Sequence, residues 1–313
     1  MFKKETDNGL CGYQENSMGM AMHIFLEEIP KYLGKCSTGL EVGDVYIPAL
    51  WQCPLCPSNK KFPVVIFSHG LGGNRTSNST MCCELASQGF IVASVEHRLP
   101  SSTFTQVHHR ADECIRVLNV LSSLNDGDEV HNILGGNFDK NMKKQFRDRI
   151  DMLRVSVAGH SFGGATAVCT LSKDKRFRVG IILDAWMHPL DEDVYKNTTQ
   201  PLLMLNMETF QWKANILQMK KLESDLIDRV MITLKGGCHQ SVTDFQFIIQ
   251  SRTIGKLLDI RHDLSPKIAI DVCNKATLGF MRKHLDIADK DTHEDILSGE
   301  NQHVISGTNV DLT

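Results

Sequence analysis

The chain has 313 residues, 42% of them hydrophobic, which is enough for one sizeable core and predicts a single α/β domain over residues 1–313, loose at about 1–17 and 290–313. The net charge is -3 and the basic residues occur only in short pairs, so no basic stripe argues for a nucleic-acid partner. Ten cysteines are too few for a disulfide scaffold, and the one C-x-x-C, Cys53 and Cys56, has no second pair at zinc-finger spacing, so no metal is expected.

No apolar run of signal-peptide length follows the N-terminus, and no stretch approaches about 18 uninterrupted apolar residues. As it stands the sequence predicts a cytoplasmic protein without a transmembrane segment, extracellular only if the N-terminus is incomplete. The sequons at Asn74, Asn78 and Asn197 read as chance occurrences.

Short β-branched runs alternate with longer helical stretches, the pattern of βαβ units and a mostly parallel central sheet with helices on both faces. Val64–Phe67 reads as a buried strand ending in the glycine-rich Ser68–Gly73. Asn78–Gln88 reads as a helix stopped by Gly89. Phe90–Val95 is the next strand, and Arg110–Leu124 the next helix, with a polar loop from Asn125 to Gly136. Arg154–Ala158 is a strand that runs into Gly159-His160-Ser161-Phe162-Gly163-Gly164, with a helix to about Leu171. Val179–Leu183 and Pro201–Asn206 are strands ending at Asp184 and near Glu208. Lys213–Leu222 is helical, and Val230–Leu234 is the last clear strand, leading to Gly236-Gly237-Cys238-His239. Thr243–Leu258 and Lys267–His284 read as the closing helices, before a polar tail from about Asp289.

Composition alone produces G-x-S-x-G in roughly one chain in ten of this length, so the bare motif says little. Its setting says more. A strand precedes Ser161 and a helix rich in small residues follows, the strand–turn–helix of a nucleophile elbow on an α/β-hydrolase sheet. The flanking Gly159, Gly163 and Gly164 leave room for the strained turn. Acyl transfer also needs two donors aimed at the tetrahedral oxyanion. One falls on the N–H of Phe162, the residue after the nucleophile. The other comes from the loop after an earlier strand, where His69-Gly70-Leu71-Gly72 assigns the Leu71 N–H.

The base must follow the nucleophile, and His188, His239, His262 and His284 are the candidates. Only His239 follows a strand through a short glycine-rich loop. His160 reads as a packing residue inside the elbow. For the acid, Asp184 and Glu208 both end strands between Ser161 and His239, and position alone leaves both open.

Phe67-Ser68-His69-Gly70-Leu71-Gly72, Glu84-Leu85-Ala86-Ser87, Gly89-Phe90-Ile91-Val92-Ala93 and Glu96-His97-Arg98 resemble the platelet-activating factor acetylhydrolases. So do the elbow through Ala165-Thr166, Leu183-Asp184-Ala185-Trp186-Met187 with Pro189-Leu190, Gly237-Cys238-His239-Gln240 and Gly307-Thr308-Asn309. The resemblance covers roughly residues 18 to 309. It implies a catalytic triad of Ser161, Asp184 and His239, with Glu208 left as a neighbour, and oxyanion donors on Leu71 and Phe162. His69, Gly70, Trp186 and Trp212 are the expected substrate-pocket residues, and no cofactor is expected.

The implied activity is calcium-independent hydrolysis of short or oxidised acyl esters at the sn-2 position of phosphocholine lipids. The sequence carries no acidic D-x-D-x-D-G calcium loop. The implied partner is a phospholipid at a membrane or lipoprotein surface, reached through the apolar stripe Met18, Met22, Phe25, Ile29 and Leu33, or through Phe245, Phe247, Ile248 and Ile249. A core-facing helix is the competing meaning of either stripe. Family members carry more chain before the segment matching Met18 and between Arg98 and Arg110, so the resemblance also raises the absence of early N-terminal strands. A general carboxylesterase and a non-catalytic binding protein on the same fold are the alternatives.

Overall fold

The computed structural model describes residues 49–50, 53–97, 103–130, 144–249, 251–258, 260–288 and 291–313. The stripe from Met18 to Leu33, and any early strand before it, lie outside the described residues.

Seven strands form one sheet in the order β2-β1-β3-β4-β5-β6-β7. They are β1 (Phe62–Ser68), β2 (Ile91–Val95), β3 (Ile150–His160), β4 (Phe177–Leu183), β5 (Leu202–Met207), β6 (Arg229–Leu234) and β7 (Val304–Ser306). The first six are parallel, and β7 pairs antiparallel with β6. Parallel strands need crossovers, and the helices that supply them cover both faces of the sheet. The connecting helices are α1 (Ser79–Ser87), α2 (Thr103–Asp126), α3 (Phe162–Lys173), α4 (Glu192–Asn197) and α5 (Lys213–Lys220). They are followed by α6 (Phe245–Ile248), α7 (Arg252–Leu257), α8 (Pro266–His284) and α9 (Glu294–Leu297).

Alternation along β1 divides the core. Val64 and Ile66 face the cluster under α2 and α3, while Val65 and Phe67 face the cluster under α1 and α8. Helix α2 turns Val107, Arg110, Ala111, Cys114, Leu118 and Leu121 inward, a helical period that buries one stripe. That stripe includes one cation, Arg110, which no apolar pattern anticipates.

The strand register aligns the carboxyl ends. Ser68 pairs with Gly159, His160 with Leu183, Leu183 with Leu205, and Met207 with Leu234. The residues that follow these ends therefore emerge along one edge of the sheet, where open parallel sheets build their sites.

Three sequence expectations need correction. The segment 243–258 is two short helices, α6 and α7, and not one: Ile249 ends the first in an extended conformation and Ser251 caps the second through Ile254 N. The polar tail is ordered where α9 and β7 form. Lys235 N–H donates to the His303 carbonyl at 2.8 Å and Gly307 N–H to the Met231 carbonyl at 2.8 Å, so β6 is not the last strand. Helix α2 also begins at Thr103 and runs to Asp126, past the expected loop boundary at Asn125. Among the described residues no helix is long and apolar enough to cross a membrane.

Candidate active site

Strand β3 delivers Ser161 at φ 58° and ψ -120°, a left-handed backbone that ordinary residues avoid. The turn is held by contacts that only glycine permits. A Cβ on Gly159 would meet the Gly163 carbonyl oxygen at 2.0 Å, and one on Gly163 would meet the Ser68 carbonyl oxygen at 2.0 Å. The chain thus presses α3 against the ends of β1 and β3, and the nucleophile position is fixed by backbone packing.

His239 opens a short 3-10 turn after β6. Its Nε2 lies 2.9 Å from Ser161 Oγ, and its Nδ1 lies 2.6 Å from Asp184 Oδ2. A carboxylate only accepts, so Nδ1 carries the proton and Nε2 is free to accept the serine hydroxyl. Asp184 is itself at positive φ, 47°, directly after β4. Its other oxygen accepts from Met207 N–H at 2.7 Å, which holds the buried carboxylate in place beside the imidazole. Glu208 points elsewhere: its Oε2 accepts from Gly236 N–H at 2.5 Å, so it braces the loop before His239 and does not face the imidazole. Between two strand-end carboxylates, the turn after β4 is the one that reaches.

Two rings hold His239. Phe210 stacks on it at 3.6 Å between centroids, and His160 lies 4.6 Å away with its Nε2 2.8 Å from the His239 carbonyl oxygen. Burial, and then the neighbouring His239, push the His160 pKa well down, so it stays neutral and donates to that carbonyl. His188 instead stacks on Trp186 at 5.7 Å, and His284 pairs with Asp228 at 2.9 Å.

The loop after β1 reaches the elbow. Gly73 N–H bonds the Gly70 carbonyl at 3.2 Å, closing a turn with Gly72 at φ 72°, as its third position requires. Leu71 is the second residue of that turn and is 55% exposed. Gly70 packs on the nucleophile: an added Cβ would lie 3.3 Å from Ser161 Cβ. Phe162 is the first residue of α3, where no intrahelical acceptor exists for its N–H. One N–H group assigned from sequence thus sits in the turn after β1 and the other at the start of α3, and neither element supplies an acceptor for it from within.

Of the four pocket residues expected from sequence, three border this site. Gly70 touches Ser161, Trp186 faces Phe162 at 6.1 Å, and Trp212 packs edge-on against Phe210 at 5.2 Å. His69 is the correction. Its ring is buried and turned inward, with Nε2 accepting from His97 N–H at 3.3 Å and Nδ1 2.8 Å from the Gly70 carbonyl. Burial drives its pKa down to about 3, so it is a neutral framework residue and not a pocket wall. Phe210 and Asn215 were missed. Asn215 brackets the turn after Asp184, with Nδ2 to the Ala185 carbonyl and Oδ1 from Met187 N–H, each at 2.8 Å. Neither carries a motif; only the register that brings β5 beside β4 and β6 points to them.

The family described as platelet-activating factor acetylhydrolase, isoform II, matches residues 13–106 and 101–304. The platelet-activating factor acetylhydrolase of Gallus gallus is 42% identical, over 87% of this chain and 74% of its own length. That of Canis lupus familiaris is 39% identical, over 87% of this chain and 68% of its own. Among solved structures, a ferulic acid esterase from Streptomyces cinnamoneus superposes with a TM-score of 0.60 at 19% identity, covering 80% of this chain and 75% of that one, a likeness of fold. The chain belongs to the platelet-activating factor acetylhydrolase family, and it is a carboxylic ester hydrolase on an α/β-hydrolase fold.

Proposed function

We propose that this hydrolase cleaves the short or oxidised acyl ester at the sn-2 position of platelet-activating factor-like phospholipids, without calcium, through Ser161, His239 and Asp184. The observation that carries the reading is the continuous hydrogen-bonded chain from Ser161 Oγ through both nitrogens of His239 to Asp184, in a chain whose relatives bear the acetylhydrolase name.

In this reading His239 Nε2 takes the Ser161 proton as Oγ attacks the ester carbonyl. Negative charge develops on the carbonyl oxygen, and the Leu71 and Phe162 N–H groups hold it. Asp184 keeps the imidazole in the right tautomer and stabilises its cation. The tetrahedral intermediate expels the lysophospholipid oxygen, which takes the proton from His239, and the acyl group remains on Ser161. A water molecule then gives its proton to His239, attacks the acyl carbonyl, and releases a short carboxylic acid with the serine restored. Base and oxyanion donors both come from the chain itself, which favours independence from calcium.

A lipid surface as the place of action is part of the same proposal. It is favoured by Leu71, Phe104 and Trp212, exposed apolar side chains on segments that border the elbow, the Trp186–His188 stack and Phe210. The test is turnover of an acetylated ether phosphocholine lipid against a long-chain diacyl phosphocholine, each with calcium and with a chelator. The proposal expects acetate release that the chelator leaves unchanged, with the long-chain lipid at least about tenfold slower in kcat/KM, the size of a clear specificity difference. Equal rates on both lipids, or loss of activity on chelation, contradict it. A strong preference for small soluble esters over lipid would favour a general carboxylesterase instead.

A further inference from the structure

A second serine–histidine–carboxylate chain lies behind the loop that carries Leu71. Ser68 Oγ is 2.9 Å from His97 Nε2, and His97 Nδ1 is 2.5 Å from Glu113 Oε2. The carboxylate again fixes the Nδ1–H tautomer, so the Ser68 hydroxyl donates to Nε2. Burial lowers the His97 pKa, which keeps the ring neutral in this role. The same residue reaches the next position of the loop, where His97 N–H donates to His69 Nε2 at 3.3 Å.

Helix α2 supplies Glu113, and one turn earlier it supplies Arg110. The Arg110 guanidinium donates through Nη1 to the His69 carbonyl at 2.9 Å and sits 4.7 Å over the Phe162 ring. It therefore grips the residue before Gly70-Leu71 and the residue that follows Ser161. Ser68 is not a second nucleophile: it is completely buried in a regular strand, and its carbonyl is wedged against Gly163.

We propose that Ser68, His97 and Arg110, which are buried, and Glu113, which is half-buried, form a positioning frame that fixes the Leu71 N–H relative to the Phe162 N–H. The frame rests on the reading of those two groups as the oxyanion donors. None of its members touches the substrate. Its work is distance: preorganised donors act at 2.7–3.1 Å from the oxyanion and lose their effect when the loop drifts by a fraction of an ångström.

The test compares the parent with Glu113→Gln, His97→Asn, Ser68→Ala and Arg110→Lys, each measured well below its own melting midpoint. Four quantities are read: kcat, KM, the Ki of a trifluoromethyl ketone analogue that forms a tetrahedral oxyanion on Ser161, and the Kd of lysophospholipid. Loss of one oxyanion donor costs about 10²–10³ in kcat, so a displaced donor is expected to cost about tenfold. The ketone Ki should rise by a similar factor, with KM and the lysophospholipid Kd within about twofold of the parent. A merely structural role would lower the melting midpoint and leave the ratio of ketone to lysophospholipid affinity unmoved. Variants that keep the parent's kcat and ketone Ki, or that change only KM, overturn the frame. If one substitution prevents folding, the milder Ser68→Ala and His97→Asn give the same readout. Failure of the proposed function is separate and visible in the parent, whose Ser161 would then take no tetrahedral adduct.

Discussion

Two serine–histidine–carboxylate chains occupy the same edge of one sheet, with nearly the same geometry. In Ser161–His239–Asp184 the two contacts are 2.9 and 2.6 Å, and in Ser68–His97–Glu113 they are 2.9 and 2.5 Å. They differ in backbone and access. Ser161 sits at φ 58° on a turn and is 9% exposed, with the His239 side chain 15% exposed. Ser68 ends a regular strand and is 0% exposed, with the His97 side chain 1% exposed. Connectivity alone therefore does not make a nucleophile. What separates the two is the strained turn that lifts Ser161 out of the sheet, beside the N–H groups that we propose as the oxyanion donors.

The widest test of this contrast is to remove each serine. Ser161→Ala is expected to lower kcat by about 10⁴–10⁶-fold, as loss of a triad nucleophile does, whereas Ser68→Ala should cost about tenfold. Comparable losses would mean that the buried chain takes part in chemistry. Next come the carboxylates. Asp184→Asn reverses the tautomer that the imidazole needs and should lower kcat by about 10⁴-fold, while Glu208→Gln, at a carboxylate that accepts from Gly236 N–H, should stay within about tenfold of the parent. A larger loss at Glu208 would return the acid to the other strand end.

The smallest effect is on stability. Burial depresses the pKa of His69, His97 and His160, the first from 6.5 to about 3. Where the folded pKa lies below the unfolded one, the unfolded chain binds more protons, so these rings favour the folded state at neutral pH. That stability is lost as the pH falls below about 6.5, by about 1.4 kcal/mol per pH unit for each ring still neutral. Melting midpoints between pH 7.5 and 5.5 should fall on acidification, and His69→Gln should flatten the slope. A parent with a level midpoint over that range would contradict the neutral buried histidines.

Much of the site was legible in the sequence because its chemistry is local. A strand, two glycines and a serine specify the elbow, and a glycine-rich strand end specifies the loop of Leu71. The acid was not legible from spacing, because Asp184 and Glu208 both end strands. The choice depends on the positive φ of Asp184 and on Met207 N–H, which are set by neighbours across the sheet. The resemblance pointed to Asp184, and the geometry gives the reason. The positioning frame was illegible for the same cause. Ser68 and His97 lie 29 positions apart and meet only because Ser68 pairs with Val95 in the β1–β2 register, two residues before His97. His69 was misread because a histidine in a glycine-rich strand-end loop looks exposed until the ring direction is known. Strand β7 was missed because three residues in a polar tail carry no periodic signal.

The most direct measurement is labelling of the folded chain with a fluorophosphonate, followed by peptide mass spectrometry to locate the adduct. The account expects one adduct, on the peptide that contains Ser161, none on the peptide that contains Ser68, and none at all in Ser161→Ala. A folded parent that takes no label, or takes it at another serine, would contradict it.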